Sequence, residues 1–189
     1  MRRALLAAFL ATGIALAGCS PTPAYYVLAP VPGAEKAGGP RVVELRRVHL
    51  AGYLDRQEMV LADLGYRLRI TPRSVWAESP SDMIGRVLTE DLSLRLPGTV
   101  VMREATGATL APLATVAVSI QRFDAPASGP LVLRALVTVS RRNGRDIGQV
   151  VTLAVPRAAD TAAALVSAMS VALGQLADRI GGMVARGVS

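Results

Sequence analysis

The chain has 189 residues, of which 51% are hydrophobic and 19% charged, and its formal net charge is +7 at pH 7. This length and apolar content are enough for one domain with a substantial core. The single cysteine and single histidine exclude an intramolecular disulfide and a metal site built from these two residue types. The longest like-charged runs are pairs, such as Arg46-Arg47, so the basic charge indicates a scattered solvated surface rather than a nucleic-acid-binding stripe.

Residues 1–18 are built like a secretory signal peptide. A positive Met1-Arg2-Arg3 precedes an apolar run over residues 4–15, which is too short to cross a bilayer core of about 30 Å. The run closes on Leu16-Ala17-Gly18-Cys19, which resembles a bacterial lipobox, in which the cysteine is acylated and becomes the mature N-terminus. We therefore predict that Cys19 is a lipid anchor; the alternative is a plain secretory signal that ends at a cysteine. In lipobox proteins of enteric bacteria an aspartate after the cysteine goes with retention on the inner membrane, so by this resemblance Ser20 favours the periplasmic face of the outer membrane.

Residues 19–40 are rich in proline and glycine, which predicts an extended lipidated tether with a short strand near residues 25–28. The predicted domain covers residues 41–189. It opens with a strand from Val42 to Leu50, followed by a hairpin of Met59–Ala62 and Tyr66–Ile70 that turns near residues 63–65.

A helix is predicted from about Pro80 to Leu96, because Ser79 can cap it and Pro97-Gly98 ends it. Further strands are predicted in the second half of the chain, at residues 100–102, 116–120, 131–139 and 149–155, with Asn143-Gly144 as a hairpin turn. A second helix spans about residues 160–184. This order predicts a single α/β domain with a mixed β-sheet and two main helices packed on it.

The sequence lacks the patterns that carry common enzyme chemistry. His49, the only histidine, falls in a predicted strand, and no Gly-x-Ser-x-Gly turn, phosphate-binding loop or dinucleotide fingerprint is present. Glu90 and Asp91 are neighbours on a predicted helix, not carboxylates that face each other across a cleft. We therefore predict a protein that is not an enzyme and has no catalytic residues, no cofactor and no metal.

Several segments, in the same order and at similar spacing, resemble the PqiC/YmbA family of auxiliary lipoproteins of ABC-type transporters. They are the Val42–Leu50 strand, the turn at residues 53–56, Trp76-Ala77-Glu78, the helix start at 83–88, residues 120–124 and residues 163–166. The resemblance implies an outer-membrane lipoprotein that assists an ABC permease and ATPase in moving lipids between the inner and outer membranes. It further implies docking to a periplasmic MCE-domain protein, and it leaves self-association of the chain open.

The turn and the tryptophan segment supply the candidate partner-binding residues: Tyr53, Leu54, Asp55, Arg56, Trp76 and Glu78. Each also has a structural interpretation. Asp55 and Arg56 can hold the turn while Tyr53 packs inward, Trp76 can belong to the core, and Glu78 can assist the helix start. Two other functions stay open at this point: a structural envelope lipoprotein, and a lipoprotein that binds a small apolar ligand.

Overall fold

The structure, a computed structural model, describes residues 22–62, 67–104, 110–142 and 144–186. The signal peptide, Cys19, the turn predicted near residues 63–65 and Asn143 of the predicted hairpin lie outside the described residues. Within these ranges the chain forms nine strands and two helices. The strands are β1 (Ala24–Tyr26), β2 (Val42–Leu45), β3 (His49–Leu50), β4 (Glu58–Ala62), β5 (Leu68–Trp76), β6 (Val100–Arg103), β7 (Ala114–Asp124), β8 (Leu131–Arg141) and β9 (Ile147–Val155), and the helices are α1 (Pro80–Arg95) and α2 (Ala162–Ala185).

The larger sheet has the strand order β6-β2-β7-β8-β9. Strands β6, β2 and β7 are parallel, whereas β7, β8 and β9 form an antiparallel meander. The predicted Val42–Leu50 strand is divided in two, because β2 pairs with the start of β7 and β3 pairs with the same strand further along. Arg46 and Arg47 lie between the two pieces, and the amide of Arg47 donates to Glu104 at 3.1 Å.

The smaller sheet has the order β1-β5-β4. Strands β4 and β5 form the predicted hairpin, and β1 adds to the other edge of β5 in parallel, with Ala24 opposite Ser74 and Tyr26 opposite Trp76. The amide of Ala62 donates to the Ala125 carbonyl at 3.0 Å and joins this sheet to the end of β7. The predicted fold class is confirmed, with the strands divided between two mixed sheets.

Both helices pack on one face of the larger sheet. Alternate residues of β7 and β8 are therefore buried on that face. Val116, Val118 and Ile120 are buried on this face, whereas Leu136 and Val150 are exposed on the opposite one. Of the helices that the structure describes, α2 alone is long and apolar enough to cross a membrane, and 56% of its apolar window is buried in the domain. That burial fits a core helix of the domain.

Residues 27–40, predicted as part of the tether, follow an extended path that is packed against the helices. Leu28 is 2% exposed. The amides of Leu28, Ala29 and Val31 donate to side chains of Met83, Ser170 and Asp91, respectively. An extended segment has no sheet partners here, so helix side chains satisfy its backbone. The strand near the predicted 25–28 therefore ends at Tyr26, where the chain leaves the sheet for the helices. We call residues 27–40 the strap.

Candidate functional site

The two segments that supply the candidate partner-binding residues are adjacent in space. The loop after β3 begins with a turn in which the Leu54 amide donates to the Ala51 carbonyl at 2.8 Å. The Trp76 amide then donates to the Gln57 carbonyl at 2.8 Å, which joins the end of β5 to this loop. Residues 52–57 and 77–78 consequently form one surface, which we call the loop patch.

Tyr53 is oriented by a buried carboxylate. Its hydroxyl donates to Oδ2 of Asp124 at 2.7 Å, and the other oxygen of Asp124 accepts from Nε of Arg122 at 2.9 Å. Asp124 is only 5% exposed, whereas Tyr53 is partly buried and packs against the core. Burial, and then the hydrogen bond to Asp124, raise the pKa of the Tyr53 phenol well above its ordinary value. Tyr53 is therefore a neutral, fixed aromatic group at the edge of the loop patch.

Leu54 of the loop patch and the neighbouring Trp76 are buried, with exposed fractions of 9% and 6%. They line a narrow apolar pocket of about 20 Å³, close to the space of one water molecule. Apolar side chains from residue 28, both sheets and both helices complete its wall: Leu28, Leu50, Met59, Val60, Pro80, Met83, Ile84, Phe123, Leu165 and Met169. The burial of Leu54 and Trp76 anchors the loop to the core, and the space left beside them is small for an apolar ligand.

Two charged members of the loop patch, Arg56 and Glu78, lie at the surface in ion pairs. Arg56 donates through Nε to Glu58 at 3.1 Å, and both side chains are about two-fifths exposed. Backbone hydrogen bonding at Glu58 and this guanidinium lower the pKa of Glu58. Glu78 accepts from Arg86 of α1 at 2.5 Å, and that hydrogen bond raises the pKa of Arg86. Asp55 is exposed. The loop patch therefore presents an oriented phenol and charges of both signs.

A wider concavity, which the sequence did not indicate as a site, lies between β5 and the start of α2. Its volume is about 410 Å³. Apolar and cationic side chains dominate its lining, which consists of Met59, Leu61, Arg69, Ile70, Thr71, Arg73, Ser74, Arg157, Asp160, Thr161, Ala162 and Leu165. The alternation of Arg67 and Arg69 with apolar residues is visible in the sequence, but the contribution from α2 depends on long-range packing. We call this concavity the β5 groove.

The similarity to known proteins extends over most of the domain and is not confined to one site. The model of a family described as ABC-type transport auxiliary lipoprotein component matches residues 26–181. None of the curated proteins compared with the chain matches it significantly. The crystal structure of an uncharacterized protein is similar with a TM-score of 0.73 at 20% identity, covering 87% of this chain and 99% of that one. The crystal structure of protein XCC0632 from Xanthomonas campestris, of family DUF330, is similar with a TM-score of 0.67 at 15% identity, covering 86% and 95%.

Proposed function

The chain belongs to the family of ABC-type transport auxiliary lipoprotein components, and from this premise we propose that it serves an MCE-type ABC system that moves lipids between the inner and outer membranes. In this role it is a non-catalytic lipoprotein on the periplasmic face of the outer membrane, where it docks the MCE-domain protein. The observation that carries the proposal is the family match, which spans nearly the whole described domain, from β1 into α2.

The membrane anchor is supported by the sequence before the domain. Cys19 closes the lipobox-like Leu16–Cys19 segment, and β1 begins at Ala24, five residues further on. Two or more acyl chains hold a protein stably on a membrane, whereas one chain holds it only marginally. At no more than about 3.6 Å per extended residue, the linker spans at most about 18 Å. The domain would therefore stay close to the membrane surface.

Docking of the MCE-domain protein is assigned to the loop patch. The hydrogen bond from Trp76 to Gln57 joins two of the segments on which the resemblance to the PqiC/YmbA family rests. An aromatic group beside an arginine is a composition enriched where proteins contact one another. The buried Leu54 and Trp76 would not contact the partner but would hold the exposed Asp55 and Arg56 in place. The alternative of a small apolar ligand beside Trp76 is disfavoured by the 20 Å³ pocket.

The anchor is tested by metabolic labelling of the full chain with radioactive palmitate. We expect the wild type to be labelled and C19A to be unlabelled and retained in its precursor form. Label on C19A would overturn the anchor. Its position in the outer membrane is tested separately, by fractionation of inner and outer membranes.

The partner is tested by affinity purification of the tagged full chain from membranes, followed by mass spectrometry. We expect an MCE-domain protein together with its permease and ATPase. The variant R56E should reduce this recovery several-fold, with little effect on stability, because exposed ion pairs contribute little. The matched control R56E/E58R restores the ion pair with its two charges exchanged. If Arg56 itself contacts the partner, this variant should still recover less of the MCE-domain protein than the wild type. Undiminished recovery of R56E would remove the loop patch from the interface.

A further inference from the structure

The β5 groove combines an apolar floor with a cationic rim. Met59 and Leu61 are buried in its floor, and the register places them opposite Thr71 and Arg69 on the same face of the small sheet. Leu165 of α2 completes the floor and is 3% exposed. We propose that the β5 groove binds the anionic headgroup of a phospholipid from the membrane that holds Cys19. The location of that membrane rests on the lipid anchor proposed above.

Positive charges outnumber negative charges in the lining of the β5 groove. Arg69 and Arg73 are exposed on the rim, and among the described residues neither has a carboxylate within 4.0 Å. Among the described residues that line the groove, one is acidic, Asp160, and three are arginines. A guanidinium presents a planar fork of donors that matches the oxygens of a phosphate. Two exposed arginines at the mouth of an apolar groove are complementary to a phosphate that carries acyl chains.

Arg157 forms the fixed wall of the groove. Its side chain is 4% exposed and pairs with Asp160 at 3.2 Å. It also donates to the carbonyl oxygens of Gly129, Pro126 and Ala127 at 3.1, 2.6 and 2.9 Å. With its donors occupied in this way, Arg157 shapes the groove and adds positive potential. Direct contact with the phosphate is therefore assigned to Arg69 and Arg73.

The groove lies next to the attachment point of the membrane linker. Ser74 lines the groove and is the register partner of Ala24, which is five residues from Cys19. Tyr25 and Val27, at the same edge, are 66% and 53% exposed. Tyrosine at a membrane interface places its ring among the headgroups. The short linker thus holds the groove within reach of lipid headgroups, which makes a membrane lipid its occupant rather than a peptide or a free metabolite.

The size of the groove limits what it holds. A volume of about 410 Å³ lies in the range of small-molecule sites. It accommodates a headgroup with the first methylenes of its chains, while the remaining hydrocarbon stays in the bilayer. The groove would accordingly orient the domain on the membrane and select anionic over zwitterionic lipid.

The test uses the full acylated chain, purified in detergent and titrated with lipid by native mass spectrometry. Phosphatidylglycerol, phosphatidylcholine and inorganic phosphate are the three probes. We expect one phosphatidylglycerol to bind about tenfold more tightly than phosphatidylcholine, with the difference lost in R69Q/R73Q, since a tenfold change corresponds to the loss of one charge-assisted contact. The matched control R46Q/R134Q removes two exposed arginines elsewhere on the domain and should keep the wild-type preference.

Three results would overturn the proposal: equal binding of both lipids by the wild type, an unchanged preference in R69Q/R73Q, or full displacement of phosphatidylglycerol by inorganic phosphate. If R69Q/R73Q melts at a lower temperature than the wild type, the single variants R69Q and R73Q replace it, and the full preference in both of them would contradict the proposal. Recovery of the ABC partners by R69Q/R73Q separates the two proposals. If R69Q/R73Q still recovers the ABC partners but has lost the lipid preference, both proposals are supported. If the wild type does not recover these partners, the proposed function alone is overturned.

Discussion

Nη1 of Arg95 lies 3.0 Å from the carbonyl oxygen of Val31, and so joins helix α1 to the strap. The Val31 amide donates in turn to Asp91 at 2.8 Å, and Nε of Arg95 pairs with Asp178 of α2 at 2.8 Å. Arg95 is 1% exposed and Asp91 is fully buried. The guanidinium also leaves room only for glycine at residue 33, because a Cβ there would lie 2.2 Å from Nη2 of Arg95. One buried arginine therefore ties together the strap and both helices.

Replacement of Arg95 should be strongly destabilising. We expect R95M to lower the free energy of unfolding at pH 7 by about 3–5 kcal/mol, because it leaves the buried Asp91 carboxylate without its cation. Denaturant unfolding followed by circular dichroism measures the change. The control is R179M, which removes an exposed arginine from α2 and should stay within about 0.5 kcal/mol of the wild type. A loss as small as that of the control would show that the cluster adds nothing to stability.

The stability of the domain should also depend on the protonation of Asp91. Burial raises the pKa of this carboxyl above its ordinary value of 3.8, and one of its oxygens has no hydrogen-bond partner among the described residues. The folded state therefore holds the proton more tightly than the unfolded state. The contribution of Asp91 is greatest below pH 3.8 and decreases as the pH rises through its folded pKa.

The variant D91N isolates this contribution. We expect the free energy of unfolding of the wild type, minus that of D91N, to fall as the pH rises from about 3.8 toward neutrality, because asparagine does not titrate. Denaturant titrations at several pH values give the difference. A difference that rises with pH would mean that the ion pair with Arg95 outweighs burial and lowers the pKa of Asp91.

Local sequence signals predicted the helices and the antiparallel strands well. Pro80 and Pro97-Gly98 bound α1, which runs over Pro80–Arg95, within one residue of the predicted end; Ser79 stands at the N-cap position, but its side chain makes no capping hydrogen bond. The apolar alternation in residues 116–120 and 131–139 likewise predicted strands that lie inside β7 and β8. These signals come from neighbouring residues, so they are readable without knowledge of the tertiary structure.

Long-range partners could not be predicted from these signals. The proline and glycine of the strap predicted an extended path, but the side chains that hold it are 55 to 141 residues away. The β5 groove was missed for the same reason, since α2 supplies one of its walls. The sequence indicates the turn and tryptophan segments separately, and the pairing of Glu58 with Val75 and the hydrogen bond from Trp76 to Gln57 place them side by side. Whether the loop patch binds a partner stays a prediction.

Two glycines of α2 should respond in opposite ways to alanine. A Cβ at Gly174 would lie 3.0 Å from Cβ of Val31, which Asp91 and Arg95 hold in place, whereas a Cβ at Gly182 meets nothing within 4 Å. We expect G182A to raise the free energy of unfolding by about 0.5–1 kcal/mol, as alanine favours the helix. G174A should lower it, because the strap must shift. Thermal melting of the two variants is the measurement, and stabilisation by G174A would show that the strap yields without cost.

The hydroxyl of Tyr53 allows stability and docking to be separated at the loop patch. Y53F keeps the ring but removes the 2.7 Å hydrogen bond to the buried Asp124. We expect it to lower the free energy of unfolding by about 1–3 kcal/mol, the usual consequence of leaving a buried acceptor with one partner fewer. Recovery of the MCE-domain protein should persist, since the ring and the charged surface of the loop patch are unchanged.

The pH dependence of the same variant checks the cause. Because the pKa of Tyr53 is raised in the folded state, its phenol stays neutral while the phenol of the unfolded chain ionises above its ordinary value of 10.0. The stability that the hydroxyl contributes is therefore complete below pH 10 and decreases as the pH rises further. We expect the difference between wild type and Y53F to shrink from pH 9 to about pH 11 in denaturant titrations. A difference that is constant over this range would show that the phenol titrates alike in both states and that Asp124 does not hold its proton.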